Sequence, residues 1–254
     1  MSRPTALITG PTAGIGRSFA FALADSGHDL VLVSRTQERL EKLAAELREK
    51  YGVAVEVIVA DVGKRDELAT VEARVGDSER PVDLLVNNAG FGLKQSFLHN
   101  TIDQEQYMLD VLVTAVLRLT RAALEPMVAR RSGAIINVSS VAGYLPRGTY
   151  SAAKAYVTSL SEWADLTYRH RGVRVMALLP GFTKTEFHER IGVDRASAPA
   201  WMWLDSDRLV REALHDLERG RTISVPSKRY KVLSAAAKYT PSSLQARFQG
   251  LGRK

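Results

Sequence analysis

Short apolar runs separated by amphipathic helical stretches recur along almost the whole of this chain, and that alternation limits the fold more than any other feature. Thr5–Thr9, Leu30–Val33, Val53–Val59, Val82–Val86, Ala134–Val138, Val173–Leu179 and Thr222–Val225 read as strands. Helical patterns lie between them at Gly14–Ser26, Gln37–Lys50, Asp66–Val75, Gln104–Arg130, a stretch carrying Tyr150, and Asp207–Glu218. Continuous apolar runs suit strands buried on both faces, and a helix between successive strands is the crossover that parallel pairing requires. The pattern predicts α/β class: a parallel sheet with helices on both faces, in a single domain. A length of 254 residues fits one large domain, and no linker, repeat or low-complexity segment suggests a second.

Composition narrows the chemistry. There is no cysteine, which excludes disulfides and thiolate metal sites. The histidines (28, 99, 170, 188, 215) are scattered without metal-ligand spacing, so no metal is expected. The start of the chain lacks the apolar stretch of a signal peptide, and no run is long and apolar enough to span a membrane. A cytoplasmic protein is expected. The net charge of +7 is concentrated at the C-terminal end: beyond Thr222 stand Lys228, Arg229, Lys231, Lys238, Arg247, Arg253 and Lys254, and no acid. The rest of the chain is balanced, so the basic pI describes a tail and gives no reason to expect nucleic acid as a partner. Leu244, Phe248 and Leu251 in that tail fall at helical spacing. A basic amphipathic helix suits an anionic membrane surface or an acidic partner, and equally a subunit interface or a closure over a cleft.

Thr9-Gly10-Pro11-Thr12-Ala13-Gly14-Ile15-Gly16 lies where the first strand meets the first helix. Glycines there permit a tight turn and let backbone approach a pyrophosphate, whose charge then faces a helix N-terminus. The second strand ends in Ser34-Arg35, with no acid. An acid at that place would bind a ribose 2′-hydroxyl and repel a 2′-phosphate; an arginine does the opposite, which favours NADP(H). Asp61-Val62, after the third strand, sits where an adenine edge could be held. Tyr150 and Lys154 are one helical turn apart and share a helix face. A free phenol has a pKa of about 10; a fixed ammonium nearby lowers it, and a drop of about 2 units corresponds to roughly 3 kcal/mol.

The glycine turn, Asn87-Asn88-Ala89-Gly90, Ser139-Ser140, Tyr150 with Lys154, and Pro180-Gly181 occur in an order that resembles the short-chain dehydrogenase/reductase family, from Thr9 to about Thr185. Within it, Phe182–His188 and the basic end look most like actinobacterial reductases, including mycolate-type ketoacyl reductases. The resemblance implies a Rossmann-type doubly wound sheet and a homo-oligomer, dimer or tetramer. It implies that Asn88, Ala89 and Gly90 line the nicotinamide-ribose side of a cleft. Ser140 would bond the substrate carbonyl oxygen, and Tyr150 would give or take its proton. Lys154 would bind the ribose and lower the Tyr150 pKa. Pro180, Gly181, Thr183 and Thr185 would hold the carboxamide and pyrophosphate. On this reading 1–226 form the catalytic domain, with a substrate lid at about 186–206, and 227–254 form the basic tail.

The chain departs from the family's pattern twice. Leu112 stands where the family often has an asparagine that holds a water of the proton relay. Either the helix merely packs there or the relay is weakened. The Ser140–Tyr150 interval is also short, which leaves a more open mouth or a trimmed surface turn. Ile191, Val193 and Trp201-Met202-Trp203-Leu204 supply apolar residues to a lid or to ordinary packing. The expected activity is NADPH-dependent reduction of a ketone on an apolar, 3-oxoacyl or lipid-like substrate. The alternatives are an alcohol or steroid-type dehydrogenase, or a weakly active cofactor-binding protein.

Overall fold

Alternation within each strand divides its apolar residues between two layers. In β1 (Thr5–Thr9), Ala6 and Ile8 enter one core cluster and Leu7 the other; in β2 (Asp29–Ser34), Leu30 and Leu32 part from Val31 and Val33 in the same way. A sheet apolar on both faces has to be covered twice, and a computed structural model, which describes residues 3–185 and 199–239, shows both covers. One layer is α1 (Gly14–Asp25), α2 (Gln37–Tyr51) and α7 (Ser206–Glu218), which bring Phe19, Leu40, Leu47 and Leu209 to the sheet. The other contains α3 (Arg65–Val75), α4 (Ile102–Leu109), α5 (Ala115–Ala129) and α6 (Thr149–Tyr168), with Val71, Met108, Leu119 and Ala164. Each large side chain so buried contributes about 1.5–3 kcal/mol relative to exposure.

The remaining strands are β3 (Val55–Val59), β4 (Leu84–Asn87), β5 (Gly133–Val138), β6 (Val173–Leu178) and β7 (Ile223–Ser224). All pair in parallel, in the order β3-β2-β1-β4-β5-β6-β7. The chain is therefore a single-domain, doubly wound α/β fold, as its alternation predicts. Helix α8 (Lys228–Tyr239) follows the last strand.

Some boundaries differ from the sequence expectation, each for a local reason. β3 and β4 begin at Val55 and Leu84, because Val53 and Val82 are buried before the ladder starts and so read as strand. The long helix begins at Ile102, where Thr101 and Gln104 close a reciprocal capping box. That helix is also not continuous α: Asp110–Thr114 form one π turn between α4 and α5. Hydrophobic periodicity carries no signal for this inserted turn, which commonly marks a functional site. Ile191, Val193 and the Leu244–Leu251 amphipathic stretch lie outside the described residues.

Candidate active site

Strand β1 has β2 on one side and β4 on the other, and the carboxyl ends of the strands open there into a cleft of about 440 Å³. This is the switch point at which open α/β sheets bind ligands. Every position assigned from the sequence to catalysis or cofactor binding lines the cleft except Gly16.

Gly10 and Gly14 adopt left-handed backbone, with φ of +67° and +53°. A Cβ on Gly14 would lie 2.8 Å from Thr185 Cγ2, so glycine allows the two rims of the cleft to meet. Gly16 acts beneath the cleft. A Cβ on it would lie 2.2 Å from the Gly10 carbonyl oxygen and 2.4 Å from Asn88 Nδ2, so its role is close packing of α1 on the turn. Asn88 lines the cleft with its side chain committed to backbone: Nδ2 donates to the Thr9 and Gly10 carbonyls at 3.0 and 2.9 Å. Thr9 Oγ1 in turn accepts from the Asn88 and Ala89 N–H groups, both at 3.0 Å. These bonds fasten the end of β4 to the glycine turn and set Asn88, Ala89 and Gly90 at the cleft.

At the other end stand Ser34, Arg35, Asp61 and Val62, joined by Tyr107 from α4, which sequence spacing does not reveal. The Tyr107 hydroxyl lies 2.7 and 2.9 Å from the Asp61 carboxylate oxygens and accepts from Arg35 Nη1 at 3.1 Å. Burial, and then the bond to Asp61, push the Tyr107 phenol above its ordinary pKa.

The reacting groups converge where β5 ends and α6 begins. Gly148, with φ of +85°, turns the chain into α6, and half-buried Tyr150 follows in the first turn. Ser140 hydrogen-bonds Tyr150 and accepts the Ala142 N–H at 3.1 Å. Its neighbour Ser139 is buried and turned away, donating to the Lys154 carbonyl at 2.6 Å, as an extended strand end predicts. Lys154 is 5% exposed; its Nζ donates to the Val138 carbonyl at 2.7 Å and stands 5.8 Å from the centre of the Tyr150 ring. Burial governs both titrations: the phenol is pushed up to about 12 and the ammonium down to about 8. The expected lowering of Tyr150 by Lys154 is thus not met, because desolvation of the phenolate outweighs the bond from Ser140.

Leu112 belongs to the π turn, is fully buried and lines the cleft. A Cβ on Gly90 would lie 3.0 Å from Leu112 Cδ2 and 3.9 Å from Lys154 Nζ, so apolar surface stands close to the ammonium.

The far wall is held from the C-terminal side. Phe182 N–H donates to the Tyr230 hydroxyl and that hydroxyl to the Met202 carbonyl, both at 2.9 Å. Phe182 and Trp203 stack with centroids 5.5 Å apart, and Val141, Tyr144 and Met202 join them around Tyr230. Val141 and Tyr144 of the short Ser140–Tyr150 interval thus pack in an apolar cluster behind the Pro180-Gly181 turn that lines the cleft. Trp201 faces solvent, 52% exposed.

The donor set fits a nicotinamide dinucleotide: a turn bare of side chains at Gly10 and Gly14 and the N-terminus of α1 stand where a pyrophosphate would lie. The family model for short chain dehydrogenases matches residues 4–196. Over 191 residues the chain is 36% identical to the very-long-chain 3-oxoacyl-CoA reductase of Anas platyrhynchos, a match that spans 71% of this chain but only 60% of that protein. A solved short-chain dehydrogenase from Sphingobium yanoikuyae in complex with NADPH is 38% identical with a TM-score of 0.85, covering 92% of this chain and 93% of that one. The bulky-bulky ketone specific alcohol dehydrogenase from Comamonas testosteroni is 32% identical with a TM-score of 0.81, covering 93% and 92% of the two chains. The chain belongs to the short-chain dehydrogenase/reductase family.

Proposed function

We propose that this protein uses NADPH to reduce the carbonyl of a bulky apolar ketone, of 3-oxoacyl type, with Tyr150 as the proton donor. The observation that carries this reading is the convergence of Ser140, Tyr150 and Lys154 at the cleft, with the phenol held in its protonated form. A nicotinamide cofactor bound in the cleft supplies the hydride. Ser140 orients the carbonyl oxygen toward the phenol. Tyr150 gives that oxygen its proton. Gly10, Thr12, Gly14 and Ile15 would hold the pyrophosphate at the start of α1, Thr183 and Thr185 from across the cleft. Pro180 and Gly181 would flank the nicotinamide, Lys154 the ribose, and Val62 and Asp61 the adenine.

Arg35 supports the phosphorylated cofactor: its side chain is 65% exposed at the end of β2, where a 2′-phosphate would lie. The apolar cluster of Val141, Tyr144, Phe182, Met202 and Tyr230 beside the cleft supports an apolar substrate. The names of the duck and Comamonas relatives point the same way. Tyr156, Trp163 and Leu166 share an exposed face of α6, which supports assembly with further copies of the chain.

NADPH oxidation by the purified protein, screened against 3-oxoacyl esters, steroids and small ketones, tests the reading. Highest kcat/KM on long 3-oxoacyl esters is expected. Equal or better turnover of small water-soluble ketones would overturn the substrate class.

A further inference from the structure

Tyr107 is held by packing at the end of the cleft that carries Arg35 and Asp61. Its ring fills the space that a side chain at position 63 would need: a Cβ on Gly63 would lie 2.5 Å from Tyr107 Cε2. Phe91 packs against it, with centroids 5.5 Å apart. The ring being fixed, so is its hydroxyl, between Asp61 and Arg35.

That placement decides what Arg35 can bind. A guanidinium next to a carboxylate ordinarily closes into a bidentate pair, which uses two donors and neutralises the charge. Here Arg35 and Asp61 approach only to 3.9 Å, because the phenol stands between them. Asp61 is satisfied instead by Tyr107 and by the Gly63 N–H at 3.0 Å. Arg35 uses one nitrogen on Tyr107 and turns the rest of its fork outward.

We infer that Tyr107 is a specificity-determining positioning residue. It holds the Asp61 carboxylate off Arg35, so that the guanidinium stays open to a ribose 2′-phosphate while Asp61 is kept for the adenine edge. The inference rests on the reading of the cleft as an NADPH site. Its physical content is a competition: without the hydroxyl, Arg35 collapses onto Asp61, and a 2′-phosphate has to displace a carboxylate. A cofactor lacking that phosphate does not meet the competition.

The test is a pair of binding titrations on the full chain without substrate, following NADPH and NADH fluorescence, with 2′,5′-ADP as a displacing probe. Tyr107→Phe is expected to weaken NADPH and 2′,5′-ADP by roughly tenfold, the scale of one charge-assisted hydrogen bond, and to leave NADH nearly unchanged. Tyr107→Phe combined with Asp61→Asn removes the competing carboxylate and is expected to restore the NADPH-to-NADH ratio. Equal weakening of both cofactors would make Tyr107 a structural residue only. An unchanged ratio, or no recovery in the double variant, would also overturn the inference. A wild-type protein that does not prefer NADPH would remove the cofactor reading and this inference with it. That result is distinct from a wild-type preference that Tyr107→Phe leaves intact.

Discussion

Lys154 Nζ donates to the Val138 carbonyl at 2.7 Å and stands 5.8 Å from the centre of the Tyr150 ring, so its hydrogen bond is made to the strand end. The carbonyl fixes the ammonium at the level of the cleft floor. Burial costs its charged form enough to bring its pKa down to about 8.

A pH dependence of cofactor binding follows. The pyrophosphate of a bound dinucleotide favours the charged lysine and raises its pKa again. Below about pH 8 the ammonium is protonated with or without ligand, and affinity is full. Above it, binding has to take up a proton, so affinity declines as pH rises toward the bound-state pKa. Titrations of NADPH from pH 7 upward should show this decline, and Lys154→Met should abolish it. A flat profile in the unaltered protein would contradict the assignment.

Arg35→Asp should reverse the cofactor preference. The substitution places a carboxylate beside the 2′-phosphate site and a ribose-hydroxyl acceptor beside its unphosphorylated counterpart. Loss of one charge-assisted contact of about 1.5–3 kcal/mol predicts a fall in NADPH affinity of at least tenfold. The NADPH and NADH dissociation constants, compared between the two proteins, check it.

Leu112→Asn tests the apolar surface near Lys154. A polar side chain in the π turn gives a water a partner there and should raise kcat several-fold, with NADPH affinity unchanged. The buried amide should also cost about 1–3 kcal/mol of stability. Unchanged kcat at that stability cost would mean that Leu112 serves packing alone.

Gly181→Ala should loosen the far wall, because the new Cβ would overlap the Tyr230 ring, 2.0 Å from Cζ. Overpacking of this kind costs about 1–3 kcal/mol, a fall in Tm of several degrees for a chain of this size. Weaker NADPH binding should accompany it, since the ring holds the Pro180-Gly181 turn that lines the cleft. Thermal melts and cofactor titration together report both effects.

The fold is legible because continuous apolar runs in the strands and helical spacing between them are properties of neighbouring residues. The same holds for Tyr150 with Lys154 and for the glycine turn. What spacing could not reveal are contacts made across the sheet. Tyr107 meets Asp61 and Arg35 from 46 and 72 residues away. Tyr230 reaches Phe182 over 48 residues. Gly16 read as a cradle glycine because its motif is local, whereas its role comes from Gly10 and Asn88 packed upon it. The phenol's pKa departs from the sequence expectation for a related reason: helix spacing reports that an ammonium is near, but not how much water burial removes.

The central claim is that Tyr150 protonates a carbonyl reduced with NADPH. Single-turnover reduction of a long 3-oxoacyl ester by Tyr150→Phe, with NADPH binding titrated on the same preparation, tests it most directly. The account predicts a fall in rate of about 10²–10⁴, the usual worth of a positioned acid, with NADPH affinity within a few-fold of the unaltered protein. Reduction at an undiminished rate by Tyr150→Phe would contradict it.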